Sequence, residues 1–562
     1  MRLRYATLFT VVTVLLLAKQ SGSPGWGDPW ELSIAAHVLG ITHPPGYPLT
    51  LMLAKLLQFM PIPLYTAFAL LSTLSIALCS VLIARIIGLL GGEAKGVGGW
   101  LGVAAGLLFA ITPLALHLGT VLEVYAPAAA LTLGLLLNAL QDRQQPDDRR
   151  VLFAGFMLGL AFSAHLMSIL IVPSLLILHW RGKARLRLIP RVVLFFLLGW
   201  SVALMQPLRA MLFLPMDWAH PFSWERWLGQ VTAAQYAGFW GEGVAGGQFW
   251  SRLGDIISRM GAWVFIPLAV GGLIVLWRKN RFQAAALTIF WLLTFIVPNF
   301  YSIWDIDTYF LPWMALNLIL AGYCAIWLAG QMLWRKVALG IVAACGIILI
   351  LALVYLPFIP LGRATLPYAR LILSELPYRP VMFTIGNPSL VPEAMQAAEG
   401  LRSDIVLISR PRFSDFWYWK SWERRGAHGL PAGEDIAAAL AMTPREGLGG
   451  KSWLAKSALT LISNGWAGMG AVAWTPGPDL TVDDYPWLPE LRAGWSVWLW
   501  QREPRADEQQ IVELLKVARE CDSQAVGYFA MELGMAEKWA QQWGRQQDAE
   551  RFRRWRLMVE EK

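Results

Sequence analysis

The sequence has 562 residues, of which 56% are hydrophobic and 15% are charged. Charged residues make up about 25% of an ordinary soluble domain, so this composition excludes a typical soluble enzyme and favours a membrane protein. The formal net charge is +9, but the cations lie beside hydrophobic segments and no basic helix carries interleaved aromatic residues, which excludes a nucleic-acid-binding protein. The four cysteines indicate neither a disulfide framework nor a cysteine-rich metal site.

The first predicted element is an apolar run that follows Met1-Arg-Leu-Arg4 and ends at Ala18. It resembles a signal peptide, but the loop after it carries the most specific motif of the chain and leads into further apolar runs. We therefore predict an uncleaved first membrane helix whose amino end is cytoplasmic. Eight more runs have the length of a membrane span, at about 64–90, 97–118, 121–140, 191–207, 261–277, 282–299, 311–333 and 337–358.

Residues 151–180 form another apolar stretch, which as one helix would be roughly 45 Å long, too long for a hydrocarbon core of about 30 Å. Cations precede it at positions 143, 149 and 150 and follow it between positions 181 and 187. Because the positive-inside rule places both flanks in the cytoplasm, we predict two short helices that turn near His165, at the outer side. The chain then has about eleven spans. The segments predicted to lie outside are 19–63, 208–260, 299–311 and the tail from about 360.

The tail has a different kind of sequence. Apolar runs at 381–385 and 405–408 predict buried strands, with a helix at 392–401 between them, which gives a small βαβ unit. Two or three amphipathic helices are predicted between Asp507 and Glu561, and we favour a packed bundle over a fragment of a helical repeat. The predicted domains are a transmembrane catalytic domain, an extracytoplasmic α/β domain and a C-terminal helical segment, at 1–360, 361–504 and 505–562.

An acidic pair, Asp28 and Glu31, follows the first predicted span. Residues three apart face the same side of a helical turn, and carboxylates at a membrane are expected to be functional. A general base that takes a proton from an acceptor hydroxyl beside a lipid-borne donor would need such a group. The alternative is structural, with Asp28 as a helix cap and Glu31 as its capping-box partner. Spacing alone favours neither interpretation.

Other polar residues are predicted at the outer face. His43 lies in the rigid turn Thr42-His-Pro-Pro-Gly-Tyr-Pro-Leu49 and could bind phosphate or a metal, although a lone histidine is more often structural. Asp305 and Asp307 could bind a metal or sugar hydroxyls. Arg209 could hold a phosphate by paired hydrogen bonds or could only snorkel, and Glu123 could only cap a helix. No phosphate-binding loop or serine-nucleophile motif is present, which argues against nucleotide hydrolysis and serine chemistry.

These motifs resemble a known family. The acidic pair followed by Leu39-Gly-Ile-Thr-His-Pro-Pro-Gly-Tyr-Pro-Leu49 resembles the signature of the bacterial and eukaryotic family that includes transmembrane protein 260, a protein O-mannosyltransferase. The resemblance covers about residues 1–315, and the tail resembles the family only loosely. It continues through the segments Glu123–Tyr125, Gly159–His165, Pro207–Arg209, Asp217–Pro221, Gln235–Tyr236 and Trp304–Pro312.

The resemblance implies a GT-C fold and an inverting transfer from a polyprenyl-phosphate sugar. In such enzymes an acidic residue of the first outer loop is the base, which matches Asp28 and, beside it, Glu31. The residues implied to bind donor or acceptor are His43, Tyr47, Glu123, Tyr125, His165, Arg209, Asp305 and Asp307. The chain departs from the family pattern at Pro29-Trp30, at Pro127 in place of an asparagine, and at Gly386–Ser389 in place of an acidic run.

We therefore predict a multi-pass glycosyltransferase of a bacterial inner membrane. It would move a sugar, with mannose as a candidate, from a polyprenyl-phosphate carrier to a hydroxyl of a protein or glycan on the outer face. Membrane lipids are expected partners, nucleic acid is not, and Mg²⁺ or Mn²⁺ is a candidate cofactor. A flippase or transporter of lipid-linked sugars is one alternative; it predicts inverted repeats and broken helices, which the sequence does not reveal. A non-catalytic envelope assembly protein is another.

Overall fold

The computed structural model of the chain defines two compact units. The structure describes residues 2–25, 27–92, 97–180, 182–241, 254, 257, 265–301, 303, 305–330, 340, 364–375, 381–384, 390–403, 406–409, 416–424, 471–474, 508–521, 523–542 and 546–560. One unit, here the helical unit, comprises Met1–Gln20, His43–Gln206 and Ser223–Phe358. The other, here the mixed unit, comprises Ser21–Thr42, Pro207–Phe222 and Ile359–Lys562. The predicted first outer loop is thus divided between the two units, and the domain boundaries predicted at 360 and 504 stay predictions.

Most of the described chain is helical, as the composition predicts. The helices before residue 330 are, in chain order, α1 (Arg2–Lys19), α2 (Asp28–Val38), α3 (Pro48–Leu57), α4 (Leu64–Leu90), α5 (Val97–Ala110), α6 (Pro113–Thr120), α7 (Tyr125–Gln144), α8 (Asp148–Ala164), α9 (Val172–His179), α10 (Ile189–Trp200), α11 (Met205–Ala210), α12 (Trp224–Val231), α13 (Ile266–Lys279), α14 (Arg281–Asn299) and α15 (Leu311–Ala329). Short 3₁₀ turns precede α9, α10, α11 and α15.

Four helical stretches of the described residues are long and apolar enough to cross a membrane. They are Leu64–Leu90, Arg185–Ala210, Arg281–Asn299 and Ile306–Ala329. A bent helix pair would make a fifth. The predicted count of eleven is not confirmed, and the predicted span at 337–358 lies almost entirely outside the described residues.

The predicted span at 97–118 is not one continuous helix, because the structure divides it into α5 and α6, which are long and apolar enough for a span only together. Their helices, Gly98–Ala110 and Pro113–Thr120, are bent by 67° relative to each other. Pro113 cannot donate the backbone hydrogen bond that a continuous helix needs. Thr112 instead caps the second helix, and its side-chain oxygen accepts a hydrogen bond from the Ala115 backbone.

The predicted turn near His165 is present as a break in the helix. α8 ends at Ala164, His165 has an extended backbone, and a 3₁₀ turn then leads into α9. The His165 side chain accepts a hydrogen bond from the Met167 backbone nitrogen at 3.2 Å, so the histidine itself starts the new turn. The apolar stretch is therefore not one long helix.

Small residues bring helices α8 and α10 into direct backbone contact. A Cβ atom added to Gly159 would overlap the Phe196 carbonyl oxygen, and one added to Gly199 would overlap the Phe156 carbonyl oxygen. Close approach of this kind is typical of helix packing in membranes, where association depends on van der Waals contact rather than on the hydrophobic effect. The two glycines face each other's helices and leave no room for a methyl group.

The mixed unit contains a three-stranded sheet and helices. Its elements in the tail are α16 (Thr365–Glu375), β1 (Val381–Thr384), α17 (Leu390–Glu399), β2 (Val406–Ser409), α18 (Phe416–Arg424), β3 (Ala471–Trp474), α19 (Glu508–Cys521), α20 (Ser523–Gln542) and α21 (Gln546–Glu560). β1 is central, parallel to β2 and antiparallel to β3, with Val381 opposite both Val406 and Trp474. The predicted βαβ unit is confirmed, whereas β3 was not predicted. α17 packs against α2 within this unit.

We expect Gly159→Ala and Gly199→Ala each to lower the melting temperature of the detergent-purified protein. The added methyl group must push the two helices apart, at a cost of about 1–3 kcal/mol. Gly134→Ala on α7 is the matched control, because nothing lies within 4 Å of the added Cβ. Unchanged melting temperatures for the first two variants would contradict direct backbone packing of α8 on α10.

Candidate active site

The acidic pair lies at the amino end of α2 in the mixed unit. The helix begins at Asp28, and its cap residue is Gly27, whose φ of 85° is a conformation that favours glycine. No side chain caps this helix end. The structural alternative for Asp28 and Glu31, a capping box, is therefore not what the structure shows.

Both carboxylates belong to the first turn of α2. Asp28 is half-buried and Glu31 is 3% exposed. Their nearest carboxylate oxygens lie within 4.8 Å of each other. The partial positive charge of a helix amino end favours carboxylates at this place, by about 0.3–1 kcal/mol each near a surface. Two such charges also repel each other, which a bound cation or a shared proton relieves.

The two oxygens of this pair fit a hard divalent cation. Mg²⁺ and Ca²⁺ bind oxygen ligands, and Mn²⁺ also prefers carboxylates. The pair thus offers two protein ligands of the right kind, in agreement with the predicted candidate cofactor. Whether the protein requires a metal stays a prediction.

Arg209 binds the opposite end of α2. Its Nε atom donates to the Leu39 carbonyl oxygen at 2.8 Å, and its Nη2 atom donates to the Val38 carbonyl oxygen at 2.6 Å. The last carbonyl groups of a helix have no partners within the helix, and a cation there also suits the helix dipole. Arg209 therefore positions the acidic helix, and its predicted contact with a carrier phosphate stays a prediction.

The segment that follows Arg209 is hydrogen-bonded to the residues that follow α2. Backbone hydrogen bonds join Ile41 to Met216 at 2.8 Å and Trp218 to Ile41 at 3.0 Å. Gly40 lies against the Met216 backbone so closely that no Cβ would fit. Hydrogen bonds and close packing thus fix the residues that follow α2, just as Arg209 fixes the last turn of the helix.

A buried Asp217–His220 pair holds the same segment to the tail. The His220 Nδ1 atom and an Asp217 carboxylate oxygen are 2.7 Å apart, and the Trp417 indole donates to the Asp217 carbonyl oxygen at 3.0 Å. The His220 ring stacks on Trp417, with ring centroids 5.3 Å apart. The family motif contained Asp217 and His220, but sequence reasoning did not select them. Nothing in the local sequence shows that they would meet α18.

The remaining predicted site residues belong to the helical unit, where several surround His165. The His43 Nε2 atom is 3.1 Å from the Tyr47 hydroxyl, and the Tyr47 ring stacks on His165 at 5.6 Å between centroids. Tyr125 and Tyr309 contact the same histidine ring at 5.0 and 5.2 Å. Four predicted residues from three separate motifs therefore form one cluster, together with Tyr309.

A cavity beside this cluster is lined by aromatic rings and small polar groups. Its walls include Tyr125, His165, Ser168, Thr294 and Tyr309. Among the described residues, the His165 Nε2 atom and the Ser168 hydroxyl are buried without a hydrogen-bond partner. A buried polar atom without a partner loses free energy of about 1–3 kcal/mol, so these two atoms indicate a polar ligand or water in the cavity.

The other acidic candidates lie near the ends of helices of the same unit. Glu123 is buried just before α7, and its backbone exchanges hydrogen bonds with the Ser72 hydroxyl. Asp305 precedes the 3₁₀ turn that contains Asp307. Burial and the nearby Asp305 carboxylate raise the pKa of Tyr301. Tyr301 in turn contacts Tyr309 at 5.8 Å between centroids, which connects Asp305 with the cluster.

Sequence comparison finds a family model that matches part of the chain. Residues 28–187 match the model of the protein O-mannosyl-transferase TMEM260 N-terminal domain. The predicted resemblance is confirmed. The matched segment contains the acidic pair, His43, Tyr47, Glu123, Tyr125 and His165. Arg209, Asp305 and Asp307 lie outside it.

Two solved structures resemble this chain remotely. ArnT from Cupriavidus metallidurans, bound to undecaprenyl phosphate, aligns with a TM-score of 0.46 and 15% identity over 74% of this chain and 91% of that chain. The Archaeoglobus fulgidus oligosaccharyltransferase, in complex with Zn and sulfate, aligns with a TM-score of 0.43 and 13% identity over 80% of this chain and 70% of that chain. No residue role follows from either likeness. No curated protein matches the chain.

We expect Arg209→Gln to lower both the melting temperature and the activity, since each lost hydrogen bond from a charged group contributes about 1.5–3 kcal/mol. The control is Arg519→Gln, at an exposed position of α19. The thermal unfolding of the purified proteins measures the first effect. Arg209→Gln with an unchanged melting temperature would show that these two bonds do not position α2.

Proposed function

We propose that the protein is a membrane glycosyltransferase that moves a sugar from a polyprenyl-phosphate carrier to an acceptor hydroxyl on the outer face of the membrane. The main support is the amino end of α2, where Asp28 and Glu31 lie together inside the segment that matches the TMEM260 N-terminal domain. Because nucleotide sugars are absent outside the cell, a lipid-linked donor suits a site on that face. The amino terminus is then cytoplasmic, and the tail is extracytoplasmic.

Asp28 is the proposed general base. Its carboxylate takes the proton of the acceptor hydroxyl, while the hydroxyl oxygen forms a bond to the anomeric carbon of the sugar. The bond from that carbon to the carrier phosphate oxygen breaks, and polyprenyl phosphate leaves with the bonding electrons. Attack from the side opposite the phosphate inverts the anomeric configuration. Asp28 suits this role better than Glu31 because it is the less buried of the two.

Glu31 is proposed to hold the acceptor or a divalent cation beside Asp28. Mg²⁺ or Mn²⁺ bound by these carboxylates would supply positive charge for the leaving phosphate. At 3% exposure, Glu31 is shielded from water, which strengthens its electrostatic effect on a neighbouring group.

The cavity beside His165 has a volume of about 30 Å³ and is proposed to admit a single hydroxyl group of the sugar. Its unpartnered His165 Nε2 and Ser168 hydroxyl can each form a hydrogen bond with a hydroxyl, and the tyrosine rings supply flat apolar walls. The family description names O-mannosyl transfer, so mannose is the first sugar to test and a protein hydroxyl the first acceptor.

We expect Asp28→Asn to lower sugar transfer by about 10²–10⁴-fold, because the amide cannot accept the hydroxyl proton. The assay uses the full chain in liposomes with labelled polyprenyl-phosphate mannose and membrane protein acceptors. Glu225→Gln is the matched control, since Glu225 also lies in the first turn of a helix, α12, but is exposed. Unchanged transfer by Asp28→Asn would overturn the assignment of Asp28 as the base. Adding a metal chelator to the same assay tests whether transfer needs a divalent cation.

We expect His165→Asn to raise KM for the donor about tenfold or more, with a melting temperature close to that of the parent. Asparagine can still accept the Met167 backbone hydrogen bond that starts the 3₁₀ turn, but it removes the Nε2 atom. A tenfold change corresponds to about 1.4 kcal/mol, which is within the range of one hydrogen bond. An unchanged KM would exclude His165 from donor binding.

Transport of a lipid-linked sugar is a second candidate, because broken helices are typical of transporters and α5 and α6 are bent by 67°. The same liposomes distinguish the two functions. Movement of the labelled lipid between leaflets without transfer to an acceptor would favour transport over catalysis.

A further inference from the structure

An apolar cavity opens on the helical unit between α8, α9 and α10, away from the cluster around His165. It has a volume of about 310 Å³, which is within the range of small-molecule sites. Its walls are apolar except at one end, where His179 and Arg185 line it. Neither the predicted site nor the family motifs include this cavity.

The rim of the cavity is apolar and exposed. Leu176, Ile189 and Val193 line it and are 66%, 52% and 49% exposed. The stretch Arg185–Ala210 is a candidate membrane span of which only 17% is buried inside the protein, so most of its apolar surface is left for lipid. The cavity is apolar and lies beside a helix whose surface is mostly left for lipid. It is therefore open to hydrocarbon chains rather than to water.

The polar end of the cavity is a buried ionic cluster. Asp142 is fully buried; its carboxylate contacts the His179 Nδ1 atom at 2.9 Å and accepts two hydrogen bonds from Arg185, at 3.1 and 3.2 Å. His179 is 9% exposed, and its Nε2 atom has no hydrogen-bond partner among the described residues. This unpartnered atom belongs to a residue that lines the cavity, where a polar group of a ligand or a water would satisfy it.

One more cation lies beside this ionic cluster, because Arg185 and Arg187 both contact the Asp148 carboxylate. The Arg187 side chain is 75% exposed, and its nearest carboxylate oxygen, on Asp148, is 3.6 Å away. Arg143 directly follows Asp142 in the sequence, and Arg149 and Arg150 directly follow Asp148. Basic pockets between membrane helices on the cytoplasmic side are known to bind anionic lipid headgroups.

We propose that this cavity binds an anionic phospholipid of the membrane, with one acyl chain between α8, α9 and α10 and the phosphate at His179, Arg185 and Arg187. By the positive-inside rule the lipid belongs to the inner leaflet. The acyl chain fills the apolar cavity, and the phosphate lies within hydrogen-bond reach of the Nε2 atom of His179 and of the arginine side chains. The lipid thereby holds α10 together with α8 and α9, the two helices that the break at His165 separates.

The test measures which lipids stay on the full chain after extraction from nanodiscs. The nanodiscs contain phosphatidylcholine with a minor share of phosphatidylglycerol, and native mass spectrometry identifies the lipids that remain. We expect retained phosphatidylglycerol well above its share. Leu158→Trp, which fills the cavity, should abolish this retention. Leu197→Trp, at a lipid-exposed position of α10 outside the cavity, should keep it.

The headgroup contact has its own variant. Arg187→Gln should weaken phosphatidylglycerol retention about fivefold, the effect of one lost cation near an anionic lipid, and the exposed position of Arg187 makes misfolding a minor concern. Equal retention of both phospholipids, or unchanged retention in Leu158→Trp, would overturn the proposal. Displacement of phosphatidylglycerol by added polyprenyl phosphate would also overturn it, because the cavity would then belong to the carrier.

Discussion

The paired hydrogen bonds from Arg209 to the last carbonyl groups of α2 determine where the acidic pair can be. A helix is a stiff rod, and α2 rises about 1.5 Å per residue, so holding its carboxyl end also fixes the direction of its amino end. Arg209 lies two positions after Pro207, the first residue of the segment 207–222 of the mixed unit. The carboxylates of Asp28 and Glu31 are therefore positioned by a cation at the far end of their helix and not by a cap of their own.

Such an arrangement is compatible with the proposed role of Asp28 as a general base. A helix cap would use the carboxylate oxygens for backbone hydrogen bonds, whereas Gly27 turns the chain through its positive φ and needs no side chain for this. The buried pair of Asp217 and His220 extends the support by joining the same segment to Trp417 of the tail. Catalysis depends on geometry held to fractions of an ångström, and a rigid support outside the reacting groups provides it.

In the helical unit, breaks in the helices coincide with polar side chains. At His165 the α-helix stops, and the histidine uses Nδ1 for the new turn while Nε2 stays available to the cavity. At Thr112 a proline and a cap bend the chain. Each break leaves backbone groups without partners in the helix, and the side chains of His165 and Thr112 accept hydrogen bonds from some of them. The polar side chains at these breaks thus follow from the way the helices end.

The local sequence was sufficient for the features that depend on short-range chemistry. Hydrophobic length predicted the spans at 64–90 and 282–299, excess length and flanking cations predicted the break at His165, and strand patterns predicted β1 and β2. The motifs also selected the acidic pair and His165. These features could be predicted because they depend on composition and spacing, which are properties of residues close together in the sequence. The bend at Thr112 escaped prediction because an apolar run shows length but not continuity.

Features that depend on residues far apart in the chain required the folded structure. The contacts of Arg209 with Leu39 and Val38 join residues 170 and 171 positions apart. The pairing of β3 with β1 joins Val381 with Trp474, which are also far apart in the chain. A guanidinium beside a membrane could equally bind phosphate, snorkel or cap a helix, because its chemistry suits all three. Only its position in space decides which carbonyl groups it meets, and that position is set by packing of whole segments, which no local pattern records.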